Sequence, residues 1–230
     1  MTQPWLSVED FAALRLSVQL ATMSTFILLL FGTPLAWWLA HSKARIRVFV
    51  EAVVAVPLVL PPTVLGFYLL ILISPNNWFG AGWLALTGRS LAFSFSGLVL
   101  ASVLYSLPFV VQPLQRTFEQ IGRRPLEAAW VLGATPLEAF FSVALPLAVR
   151  GYLTATVLGF AHTLGEFGVV LMVGGNIPGQ TQVLSIVIYD HVENLAYGQA
   201  HRLSGLLLGL SFLVLLGIYG LQRRHSGSSR

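Results

Sequence analysis

Cysteine is absent from the 230-residue chain, which excludes disulfides, cysteine metal sites and thiol catalysis. Charge is scarce as well. Asp, Glu, Lys and Arg make up only 10% of the residues, where an ordinary soluble domain carries about a quarter. No Gly-x-x-x-x-Gly-Lys-Ser/Thr sequence occurs, so the chain has no phosphate-binding loop and any ATP must be hydrolysed by another subunit. Gly-x-Ser-x-Gly and His-Glu-x-x-His are missing too, which removes two common hydrolytic signatures. The histidines at 41, 162, 191, 201 and 225 offer no pair at zinc-ligand spacing on one helix, and His191 and Glu193 are two apart and would not face each other. No metal site and no cofactor in this chain is expected.

What is present is apolar: 56% of residues are hydrophobic and the mean hydropathy is +0.78. Such a chain could not cover a soluble surface, so a water-soluble enzyme is excluded. One bilayer span takes about 20 apolar residues, so the length allows roughly five or six spans and no separate catalytic domain. Five apolar runs are visible, at 11–40, 48–73, 91–114, 147–173 and 203–221. The expectation is an all-α polytopic membrane protein with about five transmembrane helices in a single domain over 1–230. The first run has no basic stretch ahead of it and no small-residue cleavage site after it, so it reads as a retained helix rather than a signal peptide.

The segments between the runs differ from one another. Pro75–Trp83 carries turn and aromatic residues and reads as a loop. Residues 115–145 hold Arg116, Glu119, Arg123, Arg124, Glu127 and Glu138. Residues 174–202 open on Gly-Gly-Asn-Ile-Pro-Gly and read as an outer-face loop. Within it, 183–189 is too short to span and reads as a short helix or re-entrant piece, with a sixth span as the alternative. Ten of the thirteen basic residues fall in 41–47, 115–150 and the tail after 221; the others are Arg15, Arg89 and Arg202. By the positive-inside rule the N-terminus faces out and the C-terminus faces the cytoplasm. The net charge of +4 belongs to these loops and does not suggest nucleic acid. Trp5, Trp78 and Trp83 fit an outer aromatic belt, and Trp37 and Trp38 an inner one.

The most informative stretch is Arg123 to Glu138. Pro125 suits a first helical turn, where its missing N–H costs nothing. Gly133 suits a helix end that needs a left-handed residue. Thr135-Pro-Leu-Glu138 then reads as a capping box. Together they predict two short helices with a sharp corner at Gly133, the second running toward Leu145-Pro146. The residues alone leave two readings open: an amphipathic helix lying on the membrane, or a surface that docks a partner closely through the small Ala128 and Ala129.

These residues also resemble a known family. Glu127-Ala128-Ala129, then Gly133, then Val143-Ala-Leu145-Pro146 is similar to the cytoplasmic signature of ABC importer permeases, with Val143 where that signature has Ile. Val59–Leu70 (with Pro61, Pro62 and Thr63), Leu91–Ser96, Phe160–Gly168 and Gly175-Asn-Ile-Pro-Gly179 look like the molybdate branch; sulfate permeases share Leu-Gly-Glu-Phe-Gly. His162 stands where oxyanion permeases often carry Arg. The resemblance implies a permease subunit that moves an oxyanion, most similar to molybdate carriers, with tungstate or sulfate as alternatives. It implies a homodimer in the bacterial inner membrane, two ATP-binding subunits that carry ATP and magnesium, and a periplasmic binding protein. It assigns contact with the ATPase to Glu127, Ala128, Ala129, Gly133, Leu145 and Pro146.

Glu166 lies within the fourth apolar run, and an ionisable group at membrane depth is a functional-site candidate. Read on one helix, Ala155, Gly159, His162 and Glu166 fall at spacings of four, three and four and share a small, polar face. A carboxylate would repel a dianion, so a gate or packing role is expected, against a proton relay. Pathway or gate candidates are Pro61, Pro62, Thr63, Gly159, His162, Thr163, Gly165, Glu166 and Gly168. The prolines line a pore kink or merely pack, and Gly165 and Gly168 permit close helix contact. A proton-coupled secondary transporter driven by Glu166 is the rival class, though no inverted repeat supports it.

Overall fold

The computed structural model describes residues 7–227, and of residues 218, 219 and 221–227 only the backbone. Residues 1–6 and 228–230, including Trp5, both chain ends and part of the basic tail, lie outside that description. The described residues form helices α1 (Val8–His41), α2 (Ile46–Val59), α3 (Pro62–Ile73), α4 (Trp78–Thr87), α5 (Phe95–Ile121), α6 (Arg124–Val131) and α7 (Pro136–Ala139). A π-helical turn, Phe140–Ala144, follows, then α8 (Leu145–Leu147), α9 (Val149–Leu164), α10 (Gly168–Gly174), α11 (Leu184–Glu193) and α12 (Tyr197–Gly227). No strand occurs among the described residues. Three helices, α1, α5 and the Tyr197–Gly217 part of α12, are long and apolar enough to cross a membrane. Counting each of two bent pairs as a span raises the number to five.

Each bend has a local cause. Pro61 and Pro62 cannot continue α2, because proline supplies no N–H to the ladder and its ring crowds the preceding turn. The chain turns there by 115°. The second bend, of 72°, joins Pro136–Leu147 to Val149–Leu164. There Pro146 withdraws another N–H, and the ladder widens into the π turn just before it.

Three expectations are corrected here. The segment read as a loop at Pro75–Trp83 is largely α4. Asn77 caps its start by accepting from Phe79 N, and Gly88 ends it in the left-handed region at φ 69°. The turn residues mark the entrance to a helix rather than a loop. The fourth run is not one span to 173. It stops at Leu164, and α10 begins only at Gly168 and packs against α3. The charged segment also starts later than composition suggests, since α5 continues to Ile121.

The core forms where α1, α5 and α9 meet. One stripe of α1, through Ser17, Leu20, Ala21, Ser24, Leu28, Gly32, Ala36 and Leu39, is buried, and it repeats every three or four residues. Lipid gives little hydrophobic drive between helices, so close packing of small residues must hold them together. A Cβ on Gly159 would lie 2.7 Å from the Val110 side chain, and one on Gly151 would overlap Thr117. Only glycine lets α5 and α9 approach that closely. At the basic end, Trp37 packs edge-on against Phe118 at 5.1 Å and Phe140 at 5.0 Å. Trp37 is partly buried and ties α1 to α5 and to the π turn.

Candidate functional site

Two groups of residues stand out. The first is the unit from α6 to α8 at the end of the molecule rich in Lys and Arg. Pro125 sits in the first turn of α6. The helix ends where Gly133 adopts φ +89°, and Ala134 N returns to Ala129 O at 3.0 Å. Thr135 and Glu138 form the reciprocal capping box: Glu138 N donates to Thr135 Oγ1 at 3.3 Å, and Thr135 N donates to Glu138 Oε2 at 2.8 Å. The two donors otherwise orphaned at this helix start are thus satisfied. Arg123 donates to His41 O at 3.3 Å, which pins the unit to the end of α1.

This unit has two faces. Its underside is a small core of Leu126, Ala139 and Ala144, backed by Trp37, Ala129 and Phe140. Its outer face presents Glu127 and Ala128 to solvent, followed by Trp130 at 44%, Val131 at 87% and Leu132 at 88% exposure. Leu145 is half-buried and Pro146 exposed, at the bend that leads into α9. An exposed apolar tip of this kind marks a contact surface, with a protein partner or with the membrane.

The second group is a polar seam inside the helices. Glu166 lies in the gap between α9 and α10, at 5% exposure. Ser185 on α11 donates to its main-chain oxygen at 2.6 Å, satisfying a carbonyl that the broken helix leaves free. Neither carboxyl oxygen of Glu166 hydrogen-bonds to any described residue, and the hydroxyls of Ser102, Ser24 and Thr25 are likewise enclosed without partners. One turn further along, Ser106 Oγ lies 2.9 Å from His162 Nδ1 and 2.9 Å from Thr163 Oγ1. Phe109 stacks on the His162 ring at 3.8 Å.

The expected single face of Ala155, Gly159, His162 and Glu166 is therefore broken. Glu166 is past the end of its helix, and Gly159 fills a helix contact against Val110 and Thr25. His162, Thr163, Gly165 and Glu166 do come together around the break. Gly168 joins them from α10, where an added Cβ would stand 2.8 Å from Pro62 and 3.7 Å from Thr63 N. Pro61 is the cap of α3 and is exposed. The seam hydroxyls Ser102 and Ser106 were not singled out by the sequence, since a serine in an apolar run looks alike facing lipid or protein.

A family model described as the binding-protein-dependent transport system inner membrane component matches residues 32–225. The chain is similar to the molybdenum transport system permease protein ModB of Azotobacter vinelandii, 55% identical over 224 residues that cover 97% of this chain and 99% of that one. It is also 33% identical to a probable sulfate transport system permease protein, cysT, of Zygnema circumcarinatum, over 89% of this chain and 71% of the relative. Among solved structures, a bacterial ABC transporter that imports the acidic polysaccharide alginate shares the fold, with a TM-score of 0.75 and 17% identity over 97% of this chain and 85% of that one. The capped double helix at the basic end and the family match over most of the chain agree: this is a multi-pass inner-membrane transport subunit, and it belongs to the family of binding-protein-dependent transport system inner membrane components.

Proposed function

We propose that this chain is the permease subunit of an ATP-driven importer whose cargo is molybdate. The exposed apolar tip at Trp130–Leu132, held on the Leu126–Trp37 base, carries the reading. In this account α6–α8 is the coupling element. Glu127, Ala128 and Gly133 face a separate ATP-hydrolysing subunit, Ala129 supports them from the underside core rather than from the docking face, and Leu145 and Pro146 pass that subunit's movement through the bend into α9. ATP and magnesium belong to that subunit, and this chain carries out no catalysis of its own. Two copies form the pathway, two ATPase subunits dock on the cytoplasmic side, and a periplasmic binding protein delivers cargo at the α11 side. The N-terminus faces the periplasm and the C-terminus the cytoplasm, as the clustering of basic residues supports.

The pathway residues in this reading are those at the α9–α10 break and the α3 start that meets it: Pro61, Pro62, Thr63, His162, Thr163, Gly165, Glu166 and Gly168. Irregular backbone at membrane depth is tolerated where it faces protein or a water-filled cavity. The sulfate relative favours sulfate as the second cargo to test. A direct test exploits the absence of cysteine. The variant L132C, co-expressed with a P-loop ATPase subunit carrying single cysteines around its docking cleft, is expected to cross-link to it. Labelling of L132C by membrane-confined reagents, with no cross-link in assembled transporter, would reject the coupling assignment.

A further inference from the structure

A cleft of about 500 Å³ opens between α5 and α9 near the basic end. Its polar lining is Gln112, Arg116 and Thr117 from α5 and Arg150 and Thr154 from α9; no carboxylate lines it. Both arginines are exposed. The nearest acids, Glu51 and Glu119, line the adjoining cleft that shares Gln112 and Arg116. They are already engaged: Arg47 bonds Glu51 at 2.8 Å and Glu119 at 2.6 Å. Gln115 adds donors to Glu51 at 2.7 Å and Glu119 at 3.2 Å. Arg116 makes no ion pair with any described residue. The cleft is therefore lined by two basic side chains and no acidic one.

The cleft lies on the same helix faces as the polar seam and meets it at Phe109. Tyr105, Phe109, Gln112 and Arg116 recur along α5 at spacings of four, three and four, and Arg150, Thr154, Leu158 and His162 along α9 at spacings of four. Residues so spaced share one helix face. Phe109 both lines the cleft and stacks on His162. From His162 to Arg150 the seam runs about 18 Å along α9, at about 1.5 Å per residue. Its upper end holds hydroxyls and an imidazole, and its mouth holds two guanidinium groups.

We propose that Arg116 and Arg150 form a receiving site for a tetrahedral oxyanion at the cytoplasmic mouth of the α5–α9 seam, where the cargo is held as it leaves the spans. This rests on the import reading above. Guanidinium forks match the geometry of oxyanion edges, and a cleft of one charge sign raises the local concentration of the opposite ion. Exposure keeps the site weak, which suits an exit, because binding must be strong enough to draw the ion in and weak enough to release it. The same chemistry would take a lipid phosphate, so the test separates the two sources.

The assembled transporter, with ATP inside and loaded binding protein outside, is reconstituted in vesicles of phosphatidylcholine alone or with phosphatidylglycerol. Uptake of labelled molybdate per ATP hydrolysed is measured for wild type, R116Q/R150Q and R116K/R150K. The proposal expects a drop of about fivefold or more in R116Q/R150Q in both lipids, with only partial recovery in R116K/R150K, because Lys restores the charge but not the planar fork. An unchanged ratio in R116Q/R150Q overturns the site. A drop confined to vesicles containing phosphatidylglycerol overturns it in favour of a lipid headgroup. A wild type that shows no ATP-dependent uptake refutes the import reading, and the receiving site falls with it.

Discussion

Gly133 gives the sharpest test of how the α6–α7 corner is built. It holds φ +89°, and no heavy atom lies within 4 Å of where a Cβ would stand. A substitution there meets no neighbour, so its whole cost is in the backbone. For an L-residue the left-handed region costs about 1–2 kcal/mol, which is a factor of about 5–30 in the population of the native corner. Ala at 133 should therefore weaken the corner by that factor, and Val by more, since a β-branched residue is a true outlier at positive φ. Asn, which adopts this conformation with little penalty, should stay close to wild type. Leu126, Ala139 and Ala144 remain buried beneath the corner, so insertion and folding should persist in all three variants. The assay is uptake of labelled molybdate by proteoliposomes containing the assembled transporter, with ATPase co-purification as the check on assembly. The expected order of uptake is Gly, Asn, Ala, Val. Val equal to Gly would refute the claim that the corner matters, and Asn as poor as Val would refute the backbone argument.

Leu126→Ala removes the centre of the base under the coupling unit and should cost about 2–5 kcal/mol, seen as a lower midpoint of thermal unfolding of the purified protein; Leu126→Met should cost less than about 1.5 kcal/mol. Gly159→Leu should push α5 from α9 and destabilise by about 1–3 kcal/mol or more in the same measurement, whereas Gly82→Ala, with open space around it, should not lower it. Glu166→Gln should retain partial ATP-driven uptake because it keeps shape and hydrogen-bonding capacity. Glu166→Leu should do worse, since it removes the polar group from a break lined by the enclosed Ser102 hydroxyl and replaces its shape with a branched apolar one; equal uptake by the two variants would contradict this. Reporter fusions at the two ends of the chain should fall on opposite sides of the membrane, and two cytoplasmic signals would overturn the proposed orientation.

The parts of the molecule legible in the sequence are those fixed by local chemistry. Pro125, Gly133 and the Thr135–Glu138 pair specify their helix start, corner and cap within a few residues, and the structure places each in that geometry. The break at Gly165–Phe167 was not legible, because a short polar dip at His162–Glu166 between two apolar stretches can be read equally as a polar face of one continuous helix. Tertiary contacts set it: Gly168 packed on Pro62, and Ser185 taking the freed Glu166 carbonyl. The packing of Trp37 was not legible either, because its partners Phe118 and Phe140 come from distant segments. Arg116 and Arg150 illustrate the same limit. Each reads alone as a basic loop residue that orients the chain, and only the packing of α5 on α9 puts them in one cleft.

The central claim is that ATP hydrolysed by another subunit, and not a proton gradient acting through Glu166, drives the cargo through this chain. Labelled molybdate uptake into proteoliposomes of the full complex, with ATP enclosed and the pH gradient collapsed by an ionophore, tests it most directly. The account predicts uptake that persists without the gradient, stops when a non-hydrolysable ATP analogue replaces ATP, and survives in part in Glu166→Gln. Uptake that ignores ATP, follows an imposed pH gradient and vanishes in Glu166→Gln would contradict it.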